Sequence, residues 1–102
     1  MKRRKVRFTA TAREHLRHFK TWWRDNSARP EILEHDLAKA VEILAILPGA
    51  GSLYPDASIP GVRRLFIERL TSHLYYTYNS TEVVVRALWH ARRGSKPDLT
   101  AR

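Results

Sequence analysis

The chain has 102 residues, 43% of them hydrophobic, a formal net charge of +9 and no cysteine. One domain of this size can bury a core whereas two cannot, and the lack of cysteine excludes disulfides and thiolate metal centres. No run reaches the about 18 apolar residues of a membrane span, and Arg7, Arg13 and Glu14 interrupt any apolar signal core after the basic start, so a cytoplasmic protein without a membrane partner is expected.

Val6-Arg7-Phe8-Thr9 alternates and reads as a first strand with Val6 and Phe8 facing inward. Thr11-Ala12-Arg13-Glu14 has the form of a capping box, predicting a helix that starts at Ala12. Its apolar residues Ala12, Leu16, Phe19 and Trp23 make one stripe, which Asp25-Asn26-Ser27 ends. Trp22 cannot share that stripe with Trp23 and is expected at the surface. Pro30 suits the first position of a second helix, where its missing N–H costs nothing. Leu33, Leu37, Val41 and Leu44 continue at helical spacing until Pro48-Gly49, so the two helices should form a hairpin.

Residues 48–61 are rich in Gly, Pro, Ser and Asp and read as a loop. Three strand-like runs follow, at 62–68, 73–78 and 83–93, joined by turns short enough for an antiparallel meander. Strict alternation puts Leu65, Ile67, Leu74 and Tyr76 toward the helices, together with Val83, Val85, Ala87 and Trp89. Val84, Arg86, Leu88, His90 and Arg92 then line the reverse. The fold class is α+β, in the order β-α-α-β-β-β, with a helical hairpin on one face of a mainly antiparallel sheet. One domain over residues 1–102 is expected, with flexible ends at 1–5 and 95–102.

Charge is unevenly spread. Residues 12–47 carry six basic and six acidic groups, so the whole excess lies at the two ends, which should make the sheet the electropositive side. Arg64, Arg86, His90, Arg92 and Arg93 are the candidate ligands for an acidic or phosphate-bearing target. His15 and His18 lie three apart on a helix, but no third ligand is suggested nearby, so no metal and no cofactor are expected.

This order of elements resembles the RelE/ParE superfamily of toxins from bacterial type II toxin–antitoxin systems. The likeness spans nearly the whole chain and rests on Val6-Arg7-Phe8-Thr9, the helical hairpin, Gly61-Val62-Arg63-Arg64-Leu65, His73-Leu74-Tyr75-Tyr76-Thr77-Tyr78, and Val83-Val84-Val85 leading to His90-Ala91-Arg92-Arg93. The resemblance implies growth arrest by one of two routes and silencing by a co-encoded antitoxin. RelE-like members cut messenger RNA on the ribosome; ParE-like members inhibit DNA gyrase. For cleavage, Arg64, His90 and Arg93 would supply positive charge, and Glu68, His73 and His90 would exchange protons. Yet His73 stands where RelE-like nucleases carry an arginine before Leu-Val-Tyr, and no tyrosine follows Tyr78. The resemblance is therefore closer to the ParE-like branch, with gyrase rather than ribosome and mRNA as target. A basic nucleic-acid-binding module without toxin activity would explain the charge but fits the hairpin and strand order less well. For the antitoxin, an amphipathic helix across the hairpin would meet Phe19 and Trp22.

Overall fold

The structure is a computed structural model and describes residues 2–100. Strand β1 (Lys5–Phe8) leads into helix α1 (Ala10–Asn26), followed by α2 (Glu31–Ile46), β2 (Ser52–Leu53), β3 (Arg63–Ile67), β4 (Ser72–Tyr78) and β5 (Glu82–His90). The sheet order is β1-β5-β4-β3-β2, with β1 parallel to β5 and the other pairs antiparallel. This is the expected α+β arrangement, with β2 added inside the segment read as loop.

Helix α1 begins at Ala10, two residues earlier than the Thr11 box suggests. Thr9, almost fully buried, is the cap: its Oγ1 accepts from the Ala12 N–H at 3.1 Å, and its own N–H donates to the Val85 carbonyl at 3.0 Å. One residue thus closes the strand and opens the helix. Glu14, freed from capping, pairs with Arg17 and His18 instead.

Apolar residues of both helices and the near face of the sheet form the main core: Ala12, Leu33, Leu37 and Leu44 against Leu74, Tyr76, Val83, Val85 and Leu88. A second, smaller cluster lies on the opposite face, where Val62, Tyr75, Ala87 and Leu99 are buried and Trp89 and Tyr54 pack around them.

The two clusters correct the sequence reading of β5. Tyr75 pairs with Ala87 but Tyr76 pairs with Val85, so the register shifts and β5 carries Arg86 as one extra residue at that point. Such a bulge inserts one residue and resets the alternation. Ala87 and Trp89, expected in the main core, belong to the second cluster, and Leu88 takes their place in the main core. The strand also stops at His90, so Arg92 and Arg93 lie in the chain beyond it.

Described residues near both ends make contacts with the rest of the fold. Arg3 pairs with Glu42, the Arg4 N–H donates to the Ala45 carbonyl, and Lys5 belongs to β1. At the other end Pro97 and Leu99 are buried, while the Trp89 indole donates to the Ser95 carbonyl at 2.8 Å and Arg86 Nη1 to the Leu99 carbonyl at 3.2 Å. Met1 and residues 101–102 of the expected flexible ends lie outside the described residues.

A buried phenol ties the irregular segment after α2 to the sheet. Tyr76 is fully buried; its hydroxyl donates to the Pro48 carbonyl at 2.6 Å and accepts from the Gly51 N–H at 2.9 Å. Gly51 leaves no room for a side chain, since a Cβ there would lie 2.7 Å from both the Arg64 carbonyl oxygen and the Tyr76 hydroxyl. Tyr76→Phe strands both backbone groups and should destabilise the fold by about 1 to 3 kcal/mol. Urea unfolding should show a lower midpoint with an unchanged slope.

Candidate functional site

Behind the helices, the sheet carries a cleft of about 210 Å³ bordered by Tyr54, Arg64, His73, Tyr75, Trp89 and Arg93. Its position follows from the strand pattern: Arg64 on β3 and His73 and Tyr75 on β4 alternate away from the core, and the bulge turns Trp89 to the same side. The docked segment 94–97 forms the remaining wall.

Both arginines of the cleft are held by aromatic rings. The Arg64 guanidinium carbon lies 4.9 Å from the Tyr54 ring centre, with Nη1 3.4 Å from the Tyr75 hydroxyl. The Arg93 guanidinium carbon lies 3.8 Å above Trp89. Stacking of this kind attracts the cation to the ring face and leaves the N–H groups at its rim free to donate. Among the described residues, no carboxylate pairs with either arginine: ion pairs join Arg3, Arg7, Arg17, Lys20, Arg24, Arg29 and Arg69 to acids elsewhere.

His73 sits between these groups, its ring centre 5.0 Å from Phe66 and 5.9 Å from Tyr75. Burial, and then the nearby Arg64, lower its pKa from the ordinary histidine value. His15 responds in the same direction, through burial first and then the charge of Arg93. Its ring touches Trp89 at 5.3 Å between centres, and its Nδ1 lies 3.3 Å from the Leu88 N–H. That N–H lies beyond the reach of β1, whose pairing ends at Val85, so the imidazole serves as its acceptor. An accepting Nδ1 requires a neutral ring.

The residues singled out from the sequence divide into three groups. Arg64, His73 and Arg93 converge in the cleft, and His90, at the end of β5, borders both this cleft and a second site. Arg86 is on the same face but has an internal role, with Nε donating to Thr77 at 3.0 Å besides the bond to Leu99. Arg92 and Glu68 lie elsewhere. Arg92 is exposed in the turn after β5, its N–H donating to His90 Nδ1 at 3.2 Å. Glu68 is exposed beside Asp36, Lys39 and Ile43. Tyr54 was missed because its segment has no period to read. Trp89 was assigned to the wrong face because apolar residues occupy both faces of β5, so the sequence carries no sign of the bulge.

The second site is a groove of about 660 Å³ at the end of α1, where Phe19, Trp22 and Trp23 face Leu70, Arg69 and His90. Trp22 is 57% exposed and packs edge-on to Trp23 at 6.1 Å, whereas Phe19 also supports the main core. A bidentate pair between Arg69 and Asp36, with Nε 2.8 Å from Oδ2, fixes one rim to α2. It holds the Asp36 carboxyl down to about 2, through the Arg69 hydrogen bond above all.

A helical hairpin thus covers one face of the sheet, and a cleft holding Arg64 and Arg93 lies on the other. Residues 6–94 match the family model of the ParE toxin of the type II toxin–antitoxin system, parDE. The chain belongs to the ParE toxin family. Among similar solved structures is a chain of the chromosomal ParDE toxin–antitoxin system from P. aeruginosa, with 20% identity and a TM-score of 0.67 over 85% of this chain and 95% of that one. At that identity the likeness concerns the fold. No curated protein matches the chain.

The two depressed imidazoles set a pH dependence. Since His15 and His73 take up protons more readily unfolded than folded, their contribution is complete above about pH 6.5 and declines as pH falls. Replacing both by glutamine should flatten the loss of stability between about pH 7 and pH 5, as measured by urea unfolding at each pH.

Proposed function

We propose that this toxin arrests growth in the cytoplasm by inhibiting DNA gyrase, that its cationic cleft engages the target, and that a co-encoded antitoxin silences it. The observation that carries the reading is the state of Arg64 and Arg93: both are oriented by aromatic rings and neither is paired with a described carboxylate. An acidic partner would meet two pre-positioned cations without first breaking an ion pair. Membership of the ParE family supports gyrase as that partner.

The groove at Phe19 and Trp22 suits the antitoxin. It is largely apolar and rimmed by Arg69 and His90, as an amphipathic segment with acidic residues at its edge would require. Occupation there would also place that segment at His90, where groove and cleft meet.

Ribosome-dependent RNA cleavage is the second reading, favoured by the neutral imidazole of His73 beside Arg64. Glu68, the other proton-transfer candidate, lies outside that cleft. Purified protein should block gyrase supercoiling and leave ribosome-programmed messenger RNA intact; the reverse outcome would favour the nuclease. Arg64→Ala combined with Arg93→Ala should weaken gyrase inhibition by about tenfold or more. For the antitoxin, Trp22→Ala should weaken binding about tenfold or more in titration calorimetry, with the circular dichroism of the toxin unchanged.

A further inference from the structure

We propose that the cleft between Arg64 and Arg93 is a binding site for a phosphomonoester, the terminal phosphate of a nucleotide or of a nucleic-acid strand. This deepens the reading of the cleft as the target-binding site and rests on it. The argument is one of donors and charge.

Two guanidinium groups reach the cleft from separate walls, Arg64 from β3 and Arg93 from the segment after β5, with the His73 ring and the Tyr75 hydroxyl on the strand between them. A single carboxylate offers two oxygens in one plane and is satisfied by one arginine fork. A terminal phosphate presents three oxygens in a tetrahedral array, so it can accept from both forks and from a neutral donor as well. Its charge of about −1.5 to −2 near neutral pH also matches two fixed cations, where a diester would balance only one. The rings of Tyr54 and Trp89 already hold the guanidiniums, at 4.9 Å and 3.8 Å. The forks are therefore oriented before any ligand arrives. At about 210 Å³ the cleft is a local pocket rather than a channel.

Calorimetric titration of the full chain with 5′-AMP, adenosine, succinate, and one oligodeoxynucleotide carrying either a 5′-phosphate or a 5′-hydroxyl tests this. 5′-AMP and the phosphorylated strand should bind at least about tenfold more tightly than adenosine, succinate and the hydroxyl strand. Equal affinity for 5′-AMP and the phosphorylated strand identifies the free nucleotide as a sufficient ligand; a strand about tenfold tighter identifies the strand end. Arg64→Gln and Arg93→Gln should each weaken 5′-AMP binding about tenfold, and Arg64→Lys, which keeps the charge but not the fork, should weaken it too. Arg24→Gln removes the same charge from exposed α1 and should leave binding within about twofold. Succinate binding as tightly as 5′-AMP, or Arg24→Gln costing as much as the cleft variants, would overturn the proposal. Supercoiling assays on the same samples separate the two readings. Phosphate binding without gyrase inhibition removes the gyrase target alone, and gyrase inhibition without phosphate binding removes the phosphate site alone.

Discussion

Because Tyr75 faces Ala87 while Tyr76 faces Val85, β5 passes one residue more than β4 at Arg86 and changes the side on which its later residues project. Leu88 thereby joins the main core, and Trp89 is delivered to the opposite face, where it supports Arg93 and anchors Ser95. Arg86 itself fastens the returning chain through the Leu99 carbonyl. Without the extra residue, Trp89 would lie among the helices and Arg93 would lose the ring that holds it. Bulges recur beside functional sites because they re-aim side chains in this way.

Charge on this molecule is sorted by face. The helices satisfy most of their basic groups locally, through pairs such as Arg17 with Glu14 and Lys20 with Glu34, and Asp36 secures Arg69. Exposed pairs of this kind contribute little to stability. What they do achieve is to leave the acids of α1 and α2 away from the cleft, so that the field of Arg64 and Arg93 is not cancelled there. The apolar groove and the cationic cleft remain chemically distinct although they meet at His90.

Much of the fold was legible because the signals were periodic. Leu33, Leu37 and Leu44 mark a helix face that is indeed buried, and the alternation of Leu65, Ile67, Leu74 and Tyr76 sets the near face of the sheet. Arg64 was singled out for its charge, and His73 as a proton-transfer candidate once the resemblance was drawn. The failures share one cause, which is that competing local patterns look alike in one dimension. Thr9 and Thr11 both suit a cap, and only the bond from Thr9 to Val85 decides between them. Val84, Leu88, Ala87 and Trp89 are apolar on either assignment of faces. Leu99 stands alone in a polar segment, and its burial depends on Val62, Tyr75 and Ala87, none of them near it in sequence.

The parallel contact of β1 with β5 carries a consequence for how the molecule comes into being. Lys5 pairs with Glu82 and Phe8 with Val85, so among the described residues the first strand waits for the last before it gains a neighbour in the sheet. Closing so long an intervening loop is entropically slow relative to forming the hairpins within it. While the polypeptide is being synthesised, both amphipathic helices have left the ribosome before the strand that completes their binding surface exists. The surface against which α1 and α2 pack is therefore completed only once β5 is available.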